Sequence, residues 1–334
     1  MSLRSIAEAL GLSITTVSRA LSGYSDVALA TRKRIFAEAE RIGYEPNELA
    51  RRLQKGRADA IGLVIPSGPE GFQSPFYLKI VEGAWRRLEV SAMDLLVMSA
   101  PPGATEDRLY RRLVGGRVDG VILMRTLVED HRVRYLKERD FPFLVFGPCT
   151  EQAREHLSVG VNERLVVETA LAHLTDLGHR RIVCLSASTS YAFAVERTEA
   201  MRDLGPRFGL EVEFRFGAMS EASGFSGLSS VLASHYKPTA AVAINDQIAI
   251  GAARAAWDAG LSPGRDIAII SLGDSATLEM NVPPITAVRL PLLEMAEHAV
   301  DVLIGWRDKQ PVEHKRDWPV QLIVRESTAP GWAG

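Results

Sequence analysis

The sequence predicts an α/β protein in which a short all-helical head precedes two doubly wound parallel sheets. Three observations lead there. Two short amphipathic helices flank a glycine at the start. Near Ala60 the pattern switches to short apolar runs alternating with amphipathic stretches. That alternation then repeats in the second half. The 334 residues are enough for two or three domains.

In the head, LRSIAEAL places Leu3, Ile6, Ala7 and Leu10 on one helical face, and Gly11 ends it. Ser13 offers an N-cap to a second helix, Ile14–Leu21, which packs through Val17, Ala20 and Leu21. Two such helices around a Gly-containing turn form the helix-turn-helix pattern. There the start of the second helix reaches base edges in the major groove. Those positions are Ser13, Ile14, Thr15 and Thr16, with Ser18 and Arg19 one turn on. The plain alternative is ordinary packing in an all-α domain. Charge favours DNA: residues 1–57 hold ten Lys and Arg against six acids, a net of +4 in a chain of net −2. A third helix is expected over Ala28–Ile42, ended by Gly43, with Asp26 a candidate cap. Asn47–Leu53 reads as a helix of about two turns, too short to persist alone in water.

The body follows from its strands. AIGLVIP, MDLLVMS, VDGVILM and FPFLVFG form one series; HLSVGV, RIVCLS, AAVAIN and IAIISL form another, with ITAVRL and WPVQLIVRES at the end. Continuous apolar runs suit strands covered on both faces, as in parallel sheets. Two series argue for two lobes facing across a cleft, with ligand sites at the carboxyl ends of the strands.

Several functions are disfavoured. No phosphate-binding glycine motif and no G-x-S-x-G elbow occurs. The seven histidines contain no H-x-x-x-H pair. No cofactor, no metal site and no enzymatic activity are expected. Cys149 and Cys184 cannot form a disulfide framework, and Cys184 sits in a core-like strand. Arg4 and Glu8 interrupt any signal-peptide core, and no apolar run reaches the length of a membrane span. A cytoplasmic protein with no membrane partner is the expectation.

TTVSRALSG, the segment GY-x-PN-x-x-AR-x-L from Gly43 to Leu53, and the later stretches GFSGLSSVL, AVAINDQIAIGAARAAWDAGL and VRESTAP resemble the lactose-repressor/galactose-repressor (LacI/GalR) family of bacterial transcription regulators. The resemblance covers nearly the whole chain. It implies a helix-turn-helix head (1–46), a hinge (47–58) and a two-lobed, periplasmic-binding-protein-like effector and dimerisation domain (59–330). The chain would cross between lobes near Ser158, Ile285 and Val320, giving an N-subdomain of 59–157 and 286–318 and a C-subdomain of 158–285 and 319–330. Asn47, Arg51 and Leu53 would belong to a hinge that folds on near-palindromic operator DNA, with Leu53 wedged between base steps. A homodimer through the N-subdomain, around Tyr77–Glu89, is implied too.

The same resemblance places Arg197 and Asn245 against a small-molecule effector, a sugar or glycoside. The alternatives are a surface ion pair of Arg197 with Glu196 or Glu199, and a turn role for Asn245, with Asp246 as the helix cap. Three positions depart from the family pattern. Gly273 stands where a sugar-binding Asp is common, Met219 where an aromatic often stacks, and Asn162 where Asp often lies. Asp274 is then a candidate substitute carboxylate, and Phe72 and Phe76 are candidate lining residues. An activator, a corepressor-dependent regulator responding to purines, and a transport-type sugar-binding protein are the competing readings.

Overall fold

The computed structural model describes residues 2–21, 24, 26–44, 56–67, 71, 74–101, 103–148, 156–312 and 318–328. It divides into two compact units, Met1–Asp59 and Ala60–Gly334. Asn47, Arg51, Leu53, Phe72 and Cys149 lie outside the described residues.

The first unit contains α1 (Leu3–Leu10), α2 (Ile14–Leu21) and α3 (Leu29–Arg41). Gly11, at φ +63°, turns the chain after α1, and its backbone N–H donates to the carbonyls of Ala7 and Glu8. Ile6, Ala7, Val17, Ala20, Ile35 and Ala39 close a small core. At the start of α3, Ala28 occupies the cap without a side-chain bond. Asp26 is instead ion-paired with Arg19 at 2.6 Å, so it does not cap α3 as expected.

The second unit holds two sheets. The first orders its strands β2-β1-β3-β4-β5, all parallel. Here β1 is Ala60–Pro66, β2 Asp94–Ala100, β3 Gly120–Met124, β4 Phe143–Phe146 and β5 Ser158–Val159. Its helices are α4 (Pro75–Val90), α5 (Ala104–Arg112) and α6 (His131–Lys137). Within the second lobe α7 (Glu163–Asp176), β6 (Arg181–Ala187), α8 (Ala192–Arg207), β7 (Glu211–Gly217), α9 (Glu221–Leu232), β8 (Ala240–Ala243), α10 (Asp246–Asp258), β9 (Ala268–Ser271), α11 (Ala276–Glu279) and β10 (Thr286–Arg289) follow in order. The chain then returns to the first lobe as α12 (Leu292–Arg307), which packs on α4, and crosses back to the second as β11 (Gln321–Ile323), followed by a 3-10 turn at Glu326–Thr328. The second sheet runs β11-β10-β9-β8-β6-β7, parallel except for β11, which is antiparallel to β10.

Pairing moves two of the expected lobe boundaries. β5 pairs with β4, so Ser158 and Val159 belong to the first lobe. β10 pairs with β9, so residues 286–289 belong to the second. Hydrogen-bonded register, which apolar periodicity does not encode, decides both. One strand escaped the sequence reading: EVEFRFG is the half-exposed edge strand β7, whose interleaved charges break the continuous apolar signal.

The two helices α9 and α10 approach closely through glycines. A Cβ on Gly251 would lie 1.9 Å from the Glu221 carbonyl oxygen, and one on Gly224 would lie 2.1 Å from that of Ile248. Among the described residues no helix is long and apolar enough to cross a membrane.

Candidate functional site

In the head, Ser13 caps α2: its Oγ accepts from the Thr16 backbone N–H at 3.0 Å and meets the Thr16 hydroxyl at 2.8 Å. Val17 and Ala20 face the core, which turns Ser13, Ile14, Thr15 and Arg19 outward; Thr16 and Ser18 are half-buried. Ile14 is 48% exposed, an apolar side chain half in solvent at the start of the helix. The Arg19 guanidinium lies 4.6 Å from the Tyr24 ring and pairs with Asp26. Both partners are about half exposed, so the pair contributes little stability.

In the second unit a cleft of about 1030 Å³, open mouth included, lies between the lobes at the carboxyl ends of their strands. Phe76, Arg197, Met219, Asn245, Gly273 and Asp274 all line it. Asn162 does not. It is exposed and caps α7, its Oδ1 accepting from the Arg164 and Leu165 N–H groups at 3.1 and 3.3 Å. The next residue, Glu163, is the one that turns into the cleft. The cap position demanded a short polar side chain, and one step along the chain reversed the direction.

Arg197 is nine-tenths buried. Its Nε donates to Glu163 Oε2 at 2.5 Å, and its Nη1 donates to the carbonyls of Ile244 (2.8 Å) and Leu272 (2.6 Å). These carbonyls end β8 and β9, so one guanidinium ties two strand ends to α7. A surface pairing with Glu196 or Glu199 does not describe so buried a group; Glu163 is the partner. Asn245 also does two things. Its Oδ1 accepts from the Ile248 N–H at 3.0 Å, making it the N-cap of α10, while it faces the cleft. The capping expected of Asp246 therefore falls to Asn245. Asp246 is the first helical residue, accepts from the Gln247 N–H at 3.0 Å and also lines the cleft.

Gly273 leaves room: nothing lies within 4 Å of where a Cβ would be. Asp274, the candidate substitute carboxylate, is already bonded within the protein. Its carboxylate is 2% exposed and accepts from Arg289 Nε at 2.7 Å and from Arg325 at 2.9 and 3.3 Å. Met219 is buried, its sulfur 3.2 Å from Arg125 Nη2. Phe76 lies edge-on to Tyr77, ring centroids 5.2 Å apart.

Several lining residues escaped the sequence reading, among them Arg125, Glu163 and Phe193. Arg125 directly follows β3, where the carboxyl-end rule could have found it. Phe193 sits four residues before Arg197 on α8, hence on the same face, with its ring centroid 5.5 Å from the guanidinium. Phe193 and Phe76 are thus among the aromatic rings that line this cleft with Met219. No group of His, Cys, Asp and Glu suited to a metal ion occurs among the described residues.

A family model for bacterial regulatory proteins of the lacI family matches residues 2–47, and one for a periplasmic binding protein-like domain matches residues 171–328. The transcriptional regulator AglR of Rhizobium meliloti (strain 1021) is 33% identical across 99% of this chain and 95% of its own length. The chain belongs to the LacI family of bacterial regulatory proteins. RafR of Escherichia coli, another HTH-type transcriptional regulator, is 35% identical over 80% of the chain and 79% of its own. Among solved structures, the lac repressor dimer bound to operator and the anti-inducer ONPF aligns with a TM-score of 0.87 at 26% identity, over 98% of this chain and 99% of the other. A CelR–cellobiose complex aligns at 0.76 and 26%, with the same coverage. This LacI-family protein is a helix-turn-helix transcriptional regulator with a periplasmic-binding-protein-like body.

Proposed function

We propose that this regulator is a homodimeric repressor of a carbohydrate-utilisation operon, acting in the cytoplasm as a binding protein rather than an enzyme. It binds a near-palindromic operator and releases it when a neutral sugar or glycoside fills the cleft. The observation that carries the effector class is the charge state of the cleft wall. Glu163 is matched by Arg197, and Asp274 by Arg289 and Arg325. With those two carboxylates answered internally, and the third, Asp246, sharing the wall with the oppositely charged Arg125, the cleft favours a neutral ligand, held by hydrogen bonds and by the faces of Phe76 and Phe193. Cellobiose in the CelR relative is a ligand of that kind.

Operator reading is assigned to Ser13, Ile14, Thr15, Thr16, Ser18 and Arg19, with Asn47, Arg51 and Leu53 supplying the hinge. The dimer surface is assigned to the outer face of α4, where Leu78 and Trp85, seven residues apart, are each more than half exposed. Tyr77, at the edge of the segment the resemblance pointed to, is 2% exposed and belongs to the core, not to that surface. Effector binding would change the angle between lobes, and with it the separation of the two hinges.

The test is a thermal-shift panel of mono- and disaccharides, glycosides, sugar phosphates and purines, followed by operator titration with each hit. Stabilisation by a neutral sugar that also weakens operator binding supports the reading. Hits confined to anions or purines, or tighter operator binding on addition, overturn it in favour of a corepressor-type regulator.

A further inference from the structure

Beyond the three chain crossings, the lobes are joined by a short backbone strap. Leu127 of the first lobe forms an antiparallel bridge with Tyr191 of the second. The Val128 N–H donates to the Ser190 carbonyl at 2.9 Å, and the Ala192 N–H donates to the Thr126 carbonyl at 3.0 Å. The strap is continuous with the cleft, because Arg125 and Thr126 on one side and Phe193 on the other line it. Arg125 reinforces the join. Its guanidinium stands 5.4 Å from the Tyr191 ring centroid and 5.9 Å from that of Tyr77, and its Nη2 reaches the Met219 sulfur.

On the first-lobe side the strap is held from below by a buried ionic cluster. Asp130 Oδ2 accepts from the Leu127 N–H at 3.0 Å and from Arg132 Nη2 at 2.7 Å. Arg132 Nη2 also donates to the carbonyls of Met124 (3.3 Å) and Arg125 (3.1 Å), and its Nη1 lies 3.5 Å from Glu106 Oε1. Arg125 itself sits at φ +52°, a left-handed conformation that a long side chain adopts only when its surroundings impose it. The strap is therefore a preformed edge on the first lobe that meets a matching edge at the start of α8.

We propose that Arg125–Val128 is a latch: it fastens the two lobes across the cleft, and it must release before a ligand enters or leaves. The proposal rests on the cleft being the ligand site, but its test needs no ligand. Ala192 is the first residue of α8 and Tyr191 before it is extended, at φ −84° and ψ 129°. Proline is tolerated at such a position, and an extended residue before it is compatible. Ala192→Pro thus deletes one cross-lobe donor while respecting the helix. Gly273→Cys, where nothing obstructs a Cβ, places a reporter thiol in the cleft. With Cys149→Ser, the one remaining native thiol is Cys184, which is buried and whose pKa burial pushes up to about 12, so it stays unreactive.

In the full-length protein, Ala192→Pro and, separately, Arg125→Ala should raise the rate at which N-ethylmaleimide labels the reporter thiol by fivefold or more. Amide exchange at Val128 should speed up about tenfold, while amides inside α8 at Ala200, Met201 and Leu204 keep their protection. That last readout separates unlatching from unfolding. Unchanged labelling in both folded variants, or a Val128 amide already unprotected in the parent, overturns the latch. Failure of every sugar to bind would instead count against the proposed function and leave these rates to be read on their own.

Discussion

Arg197 separates two roles that a variant can tell apart. The family resemblance gives it to the ligand; the structure gives it three bonds inside the wall. Arg197→Met keeps much of the volume and removes all three. Glu163, with a side chain only 4% exposed, is left charged and unanswered, and the carbonyls ending β8 and β9 lose their common donor. Breaking a buried pair by removing one partner costs about 3–5 kcal/mol. At about 2–4 °C per kcal/mol for a body of this size, the melting temperature of the unliganded protein should fall by about 6–20 °C. The companion double variant Arg197→Met/Glu163→Gln removes the stranded charge and should recover a substantial part of that loss. The assay is thermal unfolding of both variants followed by circular dichroism, without ligand. A fall of less than about 2 °C in the single variant would refute the wall argument, since a residue kept only for ligand contact leaves the apo protein untouched. A double variant no more stable than the single one would refute the charge argument.

Gly273→Asp should be tolerated, and should strengthen binding of a hydroxyl-bearing effector by about 1.5–3 kcal/mol where a carboxylate–hydroxyl bond forms, read by isothermal titration. His179 is fully buried against Thr239 (2.9 Å), and burial depresses its pKa to about 4. Because the unfolded chain takes up that proton near 6.5 and the folded one near 4, its stability contribution is complete above pH 6.5 and is lost as pH falls toward 4. Urea unfolding of His179→Gln should show a flatter pH dependence across that window than the parent. Gly251→Ala should destabilise the body by about 1–3 kcal/mol or force α9 away from α10, seen as a lower urea midpoint. Arg19→Ala should cost about 1–3 kcal/mol of specific operator affinity in a fluorescence-anisotropy titration, with nonspecific DNA affected less.

Much of the architecture was legible because burial writes itself into local composition. β1, β3, β4, β8 and β9 are almost wholly buried and read as apolar runs. The first helix pair was legible because Gly11 and Ser13 carry conformational demands that few residues meet. What failed was information held between distant segments. β7 is an edge strand, so its outer side alternates with charge. The lobe boundaries depend on which neighbour Ser158 and Thr286 bond to. Asp274 finds its arginines 15 and 51 residues away, which no spacing rule anticipates. Asn162 was misplaced by a single residue: N-cap and first helical position point in different directions, and only the second faces the cleft.

The lining residues carried over from the family share a property that bears on how a signal could leave this cleft. Arg197, Asn245 and Asp274 are each committed to the protein itself: to strand ends, a helix start and two arginines. A wall so bonded is already arranged when ligand arrives, so binding costs it little reorganisation. By the same argument it has few alternative states, and a rigid wall cannot by itself report occupancy. Contacts that join one lobe to the other include Arg125 on Met219 and Tyr191, and the Thr126–Val128 backbone on Ser190–Ala192. On the latch proposal, each of these contacts depends on the angle between the lobes. A ligand touching both the fixed wall and Arg125 would favour that angle over others, whereas a ligand touching the wall alone would bind without a consequence for DNA. Tight-binding compounds that leave operator affinity unchanged are therefore expected to be those insensitive to Arg125→Ala, a correlation that competition binding and operator titration across one series of ligands would expose or abolish.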